Sequence, residues 1–402
     1  MGRIVVAGAL ANKPGNGGAA WTRLSWALGF KRLGHEVYFV EQIAPSTCVD
    51  QRGTPCAVDD SMNLAYFRSV TERFELDAGL IVEGGTRTLG MTWEELVAVA
   101  QTADLLVNIS GHLTIETLKH RFGKRIFIDL DPGYTQFWQA EGLAEDRLRD
   151  HHYYFSVGEN IGQPFCDIPN ANVRWRPMRQ PVVLDQWPVV SMPASPLRFT
   201  TVASWRGPLG RVTHRDLTFG AKAHEFRRFV ALPTRCDHAF EMALDIDPAD
   251  QQDLASLRAN RWKVVEPASV ARDPLLFRQY VQQSSAEFSV AQGIYVETQS
   301  GWFSDRTVRY LASGKPALVQ DTGWSRNYPS GRGLLGFRTL EEAVDGANRI
   351  ARDYTEHSRA ARAIAEEFFD SRKVLSALMA VVDGHPVDTP ADATARERPA
   401  RG

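Results

Sequence analysis

The chain has 402 residues, enough for two domains that each bury a core of their own. Its 46 basic and 48 acidic residues nearly cancel, which excludes the charge excess of a nucleic-acid binder. Four scattered cysteines (Cys48, Cys56, Cys166, Cys236) lack CxxC spacing, which argues against a zinc site or a disulfide framework and for a reducing compartment. The apolar run at the N-terminus is too short for a signal sequence, and no stretch reaches membrane-spanning length. The expectation is a cytoplasmic globular protein, monomer or homodimer, with no nucleic-acid partner and no integral membrane segment.

"RIVVAGAL" is a continuous apolar run, the signature of a strand covered on both faces in a parallel sheet. The glycine-rich loop "NKPGNGG" follows, then a helical pattern that stops at Gly34 and a second strand, "HEVYFVEQI". Helical "WEELVAVAQTA" alternates with the strand "DLLVNIS", and helical "IETLKHRFG" with "KRIFIDLD". A proline-dense linker occupies 181–197, after which the pattern restarts with "LRFTTVASW", "WKVVEP", "AEFSVA" and "PALVQD", with helices between them. The prediction is α/β: two doubly wound Rossmann-like domains, 1–180 and 198–360, facing across a cleft. A C-terminal helix over 361–382 is expected to cross back to the first domain, and the apolar-poor tail 383–402 to be disordered.

The chemistry is expected at the carboxyl ends of the strands, where open α/β sheets bind ligands. In "SGWFSDRTVRYLASGKPALVQDTG", Ser304 is an N-cap candidate, Gly314 stops the helix and Pro316 opens the next strand. A helix N-terminus carries free amides and partial positive charge that suit a phosphate, and Ser300, Gly301 and Ser304 are small enough for close approach. Arg206 follows the first strand of the second domain and Lys222 stands where a helix begins; with Arg306 they read as a diphosphate clamp.

These residues resemble the donor half of a GT-B glycosyltransferase of the group-1 or glycogen-synthase-like kind. The matching positions are Arg206, Lys222, the turn Gly301-Trp302-Phe303-Ser304-Asp305-Arg306, and Gly314-Lys315-Pro316 before a strand. "PGNGGAAW", with Gly17 and Gly18, resembles the first loop of that family, and "LGHEV" its entry into the second strand. The resemblance implies a hexosyltransferase-type enzyme without metal or cofactor, using a UDP- or dTDP-linked sugar and a small-molecule or glycan acceptor. The Ala- and Arg-rich composition suggests a bacterial source and natural-product or cell-surface tailoring. Asp321 and Thr322 fall where members contact sugar hydroxyls. The sequence departs from the pattern of retaining members, which carry two glutamates around this helix: Gly301 and Arg309 stand there instead. Asp305 is the nearest replacement, as a helix cap or a ribose contact.

In the first domain, His112 and Asp131 end strands and are the candidates for catalytic base or sugar-positioning group, because the loop 12–18 has no His, Asp or Glu. Asp129-Leu130-Asp131 also fits a metal-binding DxD, a second reading. Tyr134, Phe137 and Trp138 form a candidate acceptor wall, with core packing as the alternative. "VGENIGQPFC" (Val157–Cys166) offers Glu159 and Asn160 but no assignable role. A nucleotide-sugar epimerase and a non-catalytic nucleotide-sugar-binding protein remain the competing functions.

Overall fold

A computed structural model describes residues 2–85, 87–191, 197–207, 209–214 and 217–384. The expected disordered tail falls almost wholly on 385–402 and so lies outside the described residues.

Eight strands make the first sheet: β1 (Arg3–Ala7), β2 (Glu36–Ile43), β3 (Asp77–Val82), β4 (Arg87–Leu89), β5 (Leu105–Ile109), β6 (Arg125–Asp129), β7 (Tyr153–Ser156) and β8 (Trp175–Pro177). Their spatial order is β4-β3-β2-β1-β5-β6-β7-β8, and every pairing is parallel except β3 with β4. β9 (Arg198–Ser204) opens the second half. A two-stranded hairpin follows, β10 (Val212–His214) with β11 (Leu217–Phe219), and then β12 (Ala239–Asp245), β13 (Lys263–Val265), β14 (Ala286–Ser289), β15 (Ala317–Gln320) and β16 (Leu334–Phe337). The second sheet runs β13-β12-β9-β14-β15-β16, all parallel. Both sheets therefore reverse direction beside their first strand, between β1 and β5 and between β9 and β14. A crevice opens at such a switch point, outside the carboxyl ends of the strands.

The two halves are tightly joined. The helix Gly17–Arg32 is buried along most of its length, and the Trp21 indole donates to the Pro274 carbonyl of the second half at 2.7 Å. The last helix, Ser371–Val382, returns to the first half. It packs so closely on Gly29 that a Cβ there would lie 2.6 Å from the Leu375 side chain. Val182 pairs with Asp370 as the chain crosses, and Lys124 reaches Asp383 at 2.9 Å. Among the described residues no helix is long and apolar enough to cross a membrane.

Candidate active site in the cleft between the sheets

On the first half, Glu41 of β2 is buried and accepts the backbone amides of Leu10, Ala11 and Asn12 at 2.7, 2.7 and 2.8 Å. That fixes the loop after β1 and lifts Lys13 to its exposed edge. Arg23, on the inner face of the following helix, is 5% exposed, and its Nε lacks a hydrogen-bond partner. The neighbouring Arg23 pushes Lys13 below the usual lysine range, with Asp131 opposing. His112 ends the turn after β5. Burial, then Arg23 and Lys13, push its imidazolium down to about 3, so the ring is neutral near pH 7, and among the described residues it makes no hydrogen bond.

Asp129 and Asp131 have different fates. The Asp129 carboxylate is fully buried and saturated by the Thr135 hydroxyl, the Gln136 amide, the Ser156 hydroxyl and the Asp131 backbone amide at 2.6–3.1 Å. It is structural, and this removes the paired carboxylates that a DxD reading needs. Asp131 is half-buried and accepts one hydrogen bond, from the Tyr295 hydroxyl of the second half at 3.2 Å. Burial and the neighbouring Asp129 raise its pKa.

On the second half, Arg306 is held by Glu287 at 2.6 Å, by the Val202 carbonyl at 2.7 Å and by the Ser289 hydroxyl at 2.7 Å. Those partners sit on β9 and β14, the strands flanking the switch point. Lys222 begins the helix Lys222–Arg227, and among the described residues its ammonium has no hydrogen bond or ion pair. Burial first, and Arg306 second, lower it to about 7, with Glu287 opposing. The second oxygen of Glu287 is buried and unpaired as well. An unpaired cation beside a fixed one at a switch point is a site built for an anion.

Several sequence assignments are corrected here. Arg206 does not stand in this cluster: its guanidinium is 55% exposed, bonds both oxygens of Asp250 at 2.8 and 2.9 Å, and lines a cavity of about 400 Å³ with Trp205, Ala221, His224 and Arg227. Gly17 and Gly18 serve domain packing, since a Cβ at Gly17 would meet the Asp273 carbonyl oxygen at 2.1 Å and one at Gly18 the Phe277 ring at 3.2 Å. The amides of Gly301 and Trp302 are spent on the Thr322 carbonyl and the Ser300 hydroxyl, so this turn is not an open phosphate cradle. Ser300 is fully buried, and Ser304 caps its helix by accepting the Arg306 amide. Phe303 is core, stacked on Phe369 at 5.2 Å. Asp321 bonds Ser325, the Gly323 amide and Arg338, and the Thr322 hydroxyl donates to the Trp302 carbonyl, so both fasten the turn.

Asp305 is not the helix cap, a place taken by Ser304. It accepts from the Thr22 hydroxyl across the cleft at 2.6 Å and from Arg309 at 2.9 Å; burial alone would raise its carboxyl, but Arg309 and Thr22 hold it below the usual range. Tyr134 and Phe137 are buried against the second half: the Tyr134 hydroxyl donates to Gln292 at 2.6 Å, and the Phe137 ring lies 5.1 Å from Phe219. They seal the halves together, and partly buried Trp138 packs beside them. Trp302 does remain at the cleft, stacked on Tyr295 at 4.4 Å.

No family model and no curated protein matches the sequence. Solved structures do. An α-glucosyltransferase in complex with UDP gives a TM-score of 0.60 at 11% identity, over 95% of this chain and 100% of that one. The Anabaena protein HepE in complex with UDP and glucose gives 0.56 at 13%, over 95% and 100%. This chain has the GT-B fold. Sucrose-phosphate synthase from Thermosynechococcus elongatus likewise gives 0.55 at 10%, over 95% and 98%.

The GT-B cleft of this chain thus gathers Lys13, Arg23, His112 and Asp131 from one sheet and Lys222, Glu287, Tyr295 and Arg306 from the other. Sequence reasoning reached His112, Asp131, Lys222 and Arg306, and missed the rest. The signals were present: Arg23 interrupts an apolar helix and Glu287 an apolar strand, and a charge in such a run needs a partner. Lys222 yields a pH prediction. An anion bound beside it stabilises the ammonium, so above about pH 7 binding must take up a proton and affinity must fall as pH rises. Titration calorimetry of UDP at pH 8 in buffers of different ionisation enthalpy should show that uptake; heats independent of buffer would contradict it.

Proposed function

We propose that the chain is a hexosyltransferase-type glycosyltransferase that moves a sugar from a UDP- or dTDP-linked donor to a hydroxyl or amine of a small-molecule or glycan acceptor, without metal. The observation that carries this is the unpaired Lys222 beside the buried Arg306–Glu287 pair, opposite Asp131 in a GT-B cleft. The UDP complexes of the two similar structures support the same class of donor. Some related complexes of the α-glucosyltransferase also hold DNA; the near-zero charge balance of this chain favours a smaller acceptor.

In this reading the diphosphate lies against Lys222 and Arg306, and the sugar points toward Asp131 and His112. Asp131 accepts the acceptor proton while the new bond to the anomeric carbon forms and the bond to the phosphate oxygen breaks. The nucleoside diphosphate leaves with its added charge held by the two cations. Asp131 is suited to this because burial raises its basicity while the Tyr295 hydroxyl fixes one oxygen.

The test is incubation with UDP- and dTDP-sugars over an acceptor panel, with and without EDTA. Nucleoside diphosphate release that survives the chelator is expected. Conversion of the donor to an isomer without release would make the chain an epimerase, and activity lost in EDTA and restored by manganese would make it metal-dependent.

A further inference from the structure

The segment Val157–Cys166, which follows β7 in the first half, is a plug in the second. Gly158 forms a β-bridge with Trp302, and the Asn160 backbone amide donates to the Ser300 carbonyl at 3.1 Å. The Asn160 side chain is 2% exposed and engaged on every side: Nδ2 donates to the carbonyls of Gln299 at 2.9 Å and Gly323 at 3.2 Å, and Oδ1 accepts from Asn327 at 3.0 Å. Gln299, Gly301 and Gly323 all have left-handed backbones, at φ 50°, 73° and 92°. A Cβ on Gly301 or Gly323 would lie 2.7 Å from the Asn160 side chain. A non-glycine residue at positive φ is held there by its surroundings, and for Gln299 the surrounding group is Asn160. The turn it fills leads directly to Ser304 and Arg306 and carries Trp302, whose stacking on Tyr295 backs the hydroxyl that touches Asp131.

We infer that Asn160 is a positioning residue of the donor site: the first half supplies it to hold the second half's 299–302 turn, and through that turn Arg306 and the Tyr295–Trp302 pair, in working register. The inference rests on the nucleotide-sugar reading above. Asn160 itself touches neither Lys222 nor Arg306 among the contacts described, so any effect on the donor must pass through the turn.

Asn160→Asp keeps the shape but replaces two donated hydrogen bonds with a carboxylate facing two carbonyls, and Asn160→Ser removes the reach. Each should weaken UDP binding at least about tenfold and lower kcat. Leu96→Ala, at a buried position of the helix Trp93–Thr102 in the first half, serves as a control matched for loss of melting temperature, and should bind UDP as wild type does. In the unaltered protein, UDP should slow amide exchange across 157–166. Wild-type UDP affinity in the Asn160 variants, equal loss in Leu96→Ala, or unchanged exchange in 157–166 would overturn the inference. A wild-type protein that binds no UDP would instead bring down the donor reading itself.

Discussion

Asp131→Asn should lower turnover about 10²–10⁴-fold and leave donor binding nearly unchanged. The change preserves shape and keeps an oxygen for the Tyr295 hydroxyl, so it removes basicity and little else. The alternatives in the cleft are less able to take a proton. Asp129 is saturated by four donors, and His112, at about 3, holds a proton too poorly to accept one efficiently near neutrality. The raised pKa of Asp131 adds a sign: only the ionised form accepts a proton, so the wild-type rate should fall as pH drops through that raised value, and the variant should lose this limb. A loss below tenfold would remove Asp131 as the base and favour a retaining mechanism, in which the leaving phosphate takes the proton. Anomeric analysis of the product by NMR distinguishes the two.

Lys222→Met should weaken UDP binding by about 1.5–3 kcal/mol, or roughly 10- to 150-fold, the cost of removing one charged partner from a diphosphate. The methionine keeps the apolar stem and deletes the ammonium, which has no partner to strand among the described residues, so the fold should survive. The variant should also lose the proton uptake expected of the wild type. Arg206→Ala is the contrasting case. Its guanidinium is committed to Asp250 on an exposed rim, and exposed pairs contribute little, so UDP affinity should change less than about threefold. The reverse ranking, measured by calorimetry, would return the clamp to Arg206.

The parallel strands announced themselves where the run was apolar and bounded: β1, β5, β6, β9 and β15 read directly from sequence. β12 did not: Glu241 breaks its short apolar run and is paired with Arg198 and Lys263 on the neighbouring strands, partners that no local pattern supplies. The hairpin β10–β11 escaped for another reason: its stability comes from docking Phe219 and His214 against Phe137, a contact that no local signal encodes. The same limit applies to the site. Small and aromatic residues around Gly301 look alike whether they receive a phosphate or a neighbouring backbone, and here the neighbour is Asn160. A loop-like segment such as Val157–Cys166, with Gly158, Gly162 and Pro164, gives no hint that its partner lies some 140 residues away, at Gln299 and Ser300.

The central claim is that the cleft holds a nucleoside diphosphate against Lys222 and Arg306. Melting temperature measured with UDP, dTDP, GDP, ADP and inorganic phosphate, on wild type and Lys222→Met side by side, tests it most directly. A ligand at about 100 times its Kd adds about 2.7 kcal/mol to folding stability, a shift of several degrees in a chain of this size or less. The account predicts that shift for UDP or dTDP with wild type and a clearly smaller one with Lys222→Met. No shift with any nucleoside diphosphate, or equal shifts in the two proteins, would contradict it.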